Sequence, residues 1–107
     1  SLKDYLKIKD KYKIEITDSE KRISYEYKYA GTLDLKGYVN GKSAIIDIKT
    51  TYELDELYVS WQNSLYELAD GEVDELYCLW LPKGRLGKLV KLERIDKNYL
   101  LAIIEEE

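Results

Sequence analysis

The plainest pattern in the chain is an alternation of apolar and polar residues that breaks twice into helical spacing. Over Lys21 to Tyr29, Ile23, Tyr25, Tyr27 and Tyr29 alternate with Ser24, Glu26 and Lys28, which predicts a first strand. From Gly31 to Thr50 two further strands are expected around Asn40-Gly41. That dipeptide suits a two-residue turn in which both residues take φ > 0. Before these strands, Leu2, Tyr5, Leu6 and Ile8 recur at helical spacing among lysines, so Ser1 to Lys13 is read as a helix. A strand over Lys13 to Ile16 competes for its end, and Thr17-Asp18-Ser19 is expected as a turn or cap.

After the hairpin the period changes again. Leu57, Trp61, Leu65 and Leu68 form one stripe of a helix that starts near Asp55 and stops at Gly71. Trp61, Leu65 and Leu68 are expected to lie against the sheet. Glu75 to Leu81 reads as a strand closed by Pro82, and Lys83 to Gly87 as a turn. Lys88 to Ile95 reads as a last strand. Asp96 then caps a helix that buries Tyr99, Leu100, Ile103 and Ile104. The expected order is helix, three strands, helix, two strands, helix. Its fold class is α/β in the α+β sense, with one mixed central sheet flanked by helices in a single domain over residues 1–107.

The hairpin register has a chemical consequence. If Val39 faces Lys42, then Leu35 faces Ile46, Asp34 faces Asp47 and Thr32 faces Lys49. Leu33, Leu35, Ala44, Ile46 and Ile48 then share the opposite, core face. Two carboxylates placed directly opposite repel unless a positive charge sits between them. Asp34 and Asp47 are therefore candidate ligands for a hard divalent cation, with Lys49 beside them as a catalytic or phosphate-binding ammonium. A bare acid-x-Lys triplet carries little by itself. It occurs at Glu26, Asp34 and Asp47, and only the third follows a buried-looking Ile45-Ile46. Gln62 and Tyr66 share a helix face shortly after Lys49.

Composition narrows the chemistry. The chain has no His, which removes His-based nucleophilic catalysis and His-ligated zinc. Cys78 is the lone cysteine, so neither an internal disulfide nor a cysteine-held cluster can form. A cytoplasmic setting fits this usage. No apolar run is long enough to span a membrane. The absence of Met suggests that Ser1 is not the native start and that the chain is a trimmed piece. A formal charge of −4 argues against a nucleic-acid binder. Its distribution qualifies that: no Lys or Arg falls between Thr50 and Pro82, while basic residues gather before and after. Lys83, Arg85 and Lys88 could touch phosphates from the last turn, although a basic turn also serves solubility alone. The eleven tyrosines, with no Phe, are expected to supply core and rim aromatics.

Tyr29-Ala-Gly-Thr-Leu-Asp34, Asn40-Gly-Lys, Ile45-Ile-Asp-Ile-Lys-Thr50 and Gln62-x-x-x-Tyr66 together resemble the PD-(D/E)XK nuclease superfamily, in its RecB-like, phage exonuclease-type branch. The resemblance implies a Mg2+- or Mn2+-dependent deoxyribonuclease with DNA as partner, in the host cytoplasm if phage-encoded. By the same resemblance Asp34 and Asp47 are the metal carboxylates, and the Ile48 carbonyl is a further ligand. Lys49 orients or activates the attacking water, while Gln62, Tyr66 and Thr50 contact substrate. The superfamily's upstream acidic residue falls by spacing on Glu20, with Glu15 and Glu26 as rivals. The alternative expectation is a non-catalytic DNA-binding or protein-interaction domain that keeps the nuclease fold. A small α/β domain unrelated to nucleases also stands.

Overall fold

A computed structural model describes residues 1–106. The element order is α1 (Leu2–Lys11), β1 (Glu15–Tyr25), β2 (Tyr29–Val39), β3 (Lys42–Lys49), α2 (Glu56–Asp70), β4 (Glu75–Trp80), β5 (Lys88–Leu92) and α3 (Lys97–Glu106). This is the order expected from the sequence. The strands form one sheet in the order β1-β2-β3-β4-β5. Only β3 and β4 are parallel, joined through α2 as a βαβ crossover. Apolar layers form on both faces. Ile23, Leu33, Ile45, Val59, Leu76 and Cys78 pack beneath α2. Ile8 of α1 packs with Ile14, Val39, Ala44, Ile46 and Leu79 on the other face.

Helix boundaries follow local chemistry. The Ser1 side chain accepts from the Asp4 N–H, and Asp4 reaches back to the N-terminus, a capping box for α1. Asp55 accepts from the Tyr58 N–H to start α2, and Gly71 ends it at φ +118°. Asp96 accepts from the Tyr99 N–H at 3.1 Å and so caps α3.

Three expectations need correction. The single strand over Lys21 to Tyr29 is broken: Glu26 and Tyr27 take left-handed φ of 42° and 60°, and the chain reverses there. Tyr25 pairs with Tyr29 across that turn, their rings 5.5 Å apart. Thr17-Asp18-Ser19 is not a turn but part of β1, where the register shifts between Ile16 and Asp18. Gly37 makes this close approach possible, because a Cβ there would lie 1.9 Å from the Glu15 carbonyl oxygen. Finally, β4 and β5 end earlier than expected, at Trp80 and Leu92.

The helix faces also differ. The sheet-facing side of α2 is Val59, Ser60, Asn63, Ser64 and Glu67, all buried. Asn63 donates to the Tyr77 carbonyl at 3.0 Å, and Ser64 accepts from the Ile95 N–H at 3.0 Å. Small and hydrogen-bonded side chains let the helix approach the strands closely. The apolar stripe turns instead toward α3, where Trp61 meets Tyr99 at 5.7 Å and a cleft runs between Trp61, Leu65, Leu100, Ile103 and Ile104. Leu57 is exposed, and of the expected face of α3 only Leu100 is fully buried.

Candidate active site

The hairpin of β2 and β3 holds the expected register from Val39–Lys42 to Leu35–Ile46. Asn40 and Gly41 have φ of 50° and 82°, as that turn requires. Beyond Leu35 the strand departs from the expected pattern. Leu33 packs beneath α2, whereas Leu35 packs on the α1 face and Lys36 reaches Asp70 of α2. The alternation therefore slips by one residue at Asp34. Across β1, Glu20 takes a left-handed φ of 51° between the residues paired with Leu35 and Leu33. The expected ladder pairs of Asp34 with Asp47 and of Thr32 with Lys49 do not form; the β2–β3 ladder ends at Leu35–Ile46, while Thr32 pairs with Arg22 on the other side of β2. Leu33 is consequently not on the face that carries Leu35.

The slip turns Asp34 along the strand edge. Its Oδ2 accepts from the Ile48 N–H at 2.9 Å, taking the place of a ladder bond. Within a strand a residue's N–H and C=O point to the same side. The Ile48 carbonyl thus faces the Asp34 side, while the Lys49 carbonyl faces β4 and accepts from the Leu81 N–H at 2.8 Å. The Ile48 side chain, expected in the core, is 37% exposed.

Asp47 is 3% exposed, on the α2 face. The Lys49 ammonium lies 2.9 Å from its Oδ2. That ammonium is the positive group that meets a buried carboxylate whose other charged neighbour is the Asp34 carboxylate. Burial raises the Asp47 carboxyl to about 6; Lys49 opposes the rise and the nearby Asp34 carboxylate adds to it. For Lys49 burial pulls downward, but Asp47 and Asp34 outweigh it and the ammonium is held above its ordinary value. Burial lifts the Cys78 thiol, paired across the sheet with Asp47, to about 12 and makes it inert.

Lys49 donates to Gln62 Oε1 at 3.2 Å, and Gln62 Nε2 donates to the Tyr66 hydroxyl at 3.1 Å. The Tyr66 ring lies over Gly31, where a Cβ would stand 3.1 Å from Cε1. A continuous polar chain thus runs from Asp47 through Lys49 and Gln62 to Tyr66, with the Asp34 carboxylate beside Asp47. Two of the remaining candidates stand apart from it. Glu20 is exposed, and among the described residues no group of three acidic, Cys or His side chains is placed to hold a metal. Thr50 is exposed and lines a groove on the α1 face beside Ile48 and Leu81.

A divalent cation of the Mg2+ class fits the residues present. It takes oxygen ligands, keeps several waters and needs only one or two protein carboxylates. Asp47 offers its buried carboxylate, Asp34 the oxygen not used by Ile48, and Ile48 its carbonyl.

No protein-family profile and no curated protein matches the chain. A solved structure does. SSO0001 is similar in fold, with a TM-score of 0.58 and 18% identity, over 98% of this chain and 54% of that one. The chain spans about half the length of that structure.

Two contributors to the site had no clear signal in sequence. Gly31 makes room for the Tyr66 ring, which only the packing of α2 on β2 reveals. Trp80 pairs with Lys49 at the end of β4, and its Nε1–H donates to the Thr51 carbonyl at 2.8 Å. That bond fixes the path by which the chain leaves Lys49.

Proposed function

We propose that this chain is a divalent-metal-dependent deoxyribonuclease of the PD-(D/E)XK type, hydrolysing phosphodiester bonds. The observation that carries the reading is the joining of Asp34, Asp47, Lys49, Gln62 and Tyr66, distant in sequence, around one buried carboxylate where two acids meet a single ammonium. When bound, Mg2+ or Mn2+ would supply charge stabilisation at the phosphate and acidify water.

The chain's own groups have separable tasks. Asp34 and Asp47 hold the cation, and Asp34 also fixes the end of β3 through the Ile48 N–H. Lys49 stays protonated and offers a positive charge where the phosphate gains negative charge. Gln62 accepts from Lys49 and so sets the direction of the ammonium. Tyr66 in turn orients Gln62. The test is cleavage of linear DNA in Mg2+ or Mn2+ against chelator, with Asp47→Asn as control. Metal-dependent cleavage lost in the variant is expected; a wild type inert on linear, circular and branched DNA would overturn the reading.

The lack of a third acidic side chain grouped with Asp34 and Asp47 among the described residues favours a second reading, a non-catalytic DNA-binding domain with this fold. Its signature is DNA binding with no change of melting temperature on adding metal.

A further inference from the structure

The segment from Pro82 to Leu92 carries Lys83, Arg85, Lys88 and Lys91 and no acidic residue. Lys91 is neutralised by Glu75 at 2.7 Å. Arg85 is different. Its guanidinium lies 4.5 Å from the Tyr52 ring centroid and 5.1 Å from that of Trp80. It also donates to the Tyr52 carbonyl. Among the described residues it has no carboxylate partner.

Arg22, also exposed, has no carboxylate partner among the described residues either, so what distinguishes Arg85 is its bracing. Two aromatic faces and one carbonyl fix its plane, which removes most of the rotamer freedom that binding would otherwise cost. Its remaining N–H groups point at no protein anion. A fixed guanidinium fork is suited to phosphate oxygens, which it can bind in bidentate fashion. Its place is also defined. Trp80 pairs with Lys49, and Thr51 and Tyr52 follow directly from Lys49. Arg85 therefore stands beyond the C-terminal ends of the parallel strands β3 and β4, past the Lys49–Trp80 pair, and lines the same groove as Thr50. Ligands of open α/β sheets bind beyond such strand ends.

We propose that Arg85, braced by Tyr52 and Trp80, binds a backbone phosphate of DNA next to the phosphate held at Asp34, Asp47 and Lys49. This assignment rests on the reading of that site as one that processes DNA. Arg85 positions the strand and takes no part in bond cleavage.

The test uses fluorescein-labelled single-stranded and duplex DNA with the full chain, in an Asp47→Asn background that blocks cleavage. Arg85→Ala is expected to weaken binding ~10-fold and to reduce the slope of log K against log salt by about 1. Arg85→Lys keeps the charge but not the fork, and should recover only part of the loss. Lys83→Ala, on the same turn but unbraced, should change binding less than Arg85→Ala does. With Asp47 restored, Arg85→Ala should raise KM and leave kcat within about twofold, as loss of uniform binding does. Equal small losses from Lys83→Ala and Arg85→Ala, or full recovery by Arg85→Lys, would reduce Arg85 to diffuse charge and overturn the proposal. Unchanged KM and salt slope beside intact cleavage would overturn it while the nuclease reading stood. An inert wild type whose DNA binding still depends on Arg85 would reverse that: the assignment would hold and the nuclease reading would fall.

Discussion

Two carboxylate–lysine groups lie on the α2 face of the same sheet, and their charge balance is opposite. At Asp70 one carboxylate meets two ammonium groups, Lys21 at 2.8 Å and Lys36 at 2.5 Å. Burial alone would raise Asp70, but the two lysines outweigh it and hold the carboxyl below its ordinary value. At Asp47 two carboxylates share one ammonium, and the carboxyl is raised to about 6. The first group is complete without any further ion. The second is short of positive charge, in a place where burial makes that shortage costly. A neighbouring lysine does not by itself distinguish a structural ion pair from a candidate site; the ratio of anions to cations does.

The largest expected difference between the groups is in cleavage. Asp47→Asn should lower Mg2+-dependent DNA hydrolysis by on the order of 10³-fold or more, and Lys49→Ala by ~10²-fold or more. Asp70→Asn should leave the rate within about threefold. Single-turnover rates on linear DNA, at matched folded fractions, would break the comparison if Asp70→Asn lost as much as Asp47→Asn.

Next in size is the pH dependence of stability, where the signs are opposite. The native state binds the Asp47 proton more tightly than the unfolded chain does. Without metal, stability should therefore fall by about 1–3 kcal/mol as pH rises from about 4 to about 6, then level off. For Asp70 the unfolded chain binds the proton more tightly. Its contribution is full above the ordinary carboxylate value of 3.8 and is lost as pH falls through the lower native value. Metal-free Asp47→Asn should lack the fall between pH about 4 and about 6 and melt above wild type near neutrality. Saturating Mg2+ should raise the wild-type melting temperature and leave the variant's unmoved. Urea midpoints across the pH range read both signs.

Asp70→Ala should cost about 1–3 kcal/mol of stability, because Lys21 and Lys36 are left facing each other without a counter-charge. Thermal melts with and without metal should show the same loss. The smallest effect belongs to Gly31→Ala. Its methyl would press the Tyr66 ring from 3.1 Å, costing about 1 kcal/mol and slowing cleavage a few-fold through Gln62 and Lys49. An unchanged rate would mean that Tyr66 does not steer the polar chain.

The order of elements was legible because each carries its own local signal. Asn40-Gly41 set the hairpin register, Asp55 and Gly71 bounded α2, and Asp96 started α3. The meeting of Asp47, Lys49, Gln62 and Tyr66 was legible for the same reason, since strand and helix periods place them on facing sides. What escaped was set by packing rather than by pattern. Glu26 and Tyr27 turn the chain in left-handed conformations without the glycine that would signal it. The slip at Asp34 conserves residue count and leaves no mark in composition, yet it moves Leu33 to the other face. The sheet-facing side of α2 carries Ser, Asn and Glu, which a search for apolar stripes assigns to solvent. Glu20 was placed by spacing and Thr50 by resemblance, and neither joins the polar chain by a hydrogen bond.

The parallel crossover between β3 and β4 has a consequence for how the chain folds. Asp34 and Asp47 both lie on the β2–β3 hairpin, whose contacts are local and close early. Strand β4 can dock on β3 only after α2 has spanned the gap, a slower and less local step. The two acids are therefore brought together while still in water, where repulsion is weak, and are desolvated only as α2 and β4 settle. A divalent cation captured by the open hairpin would speed that docking step, and refolding traces in Mg2+ would show the gain in the folding limb rather than the unfolding limb.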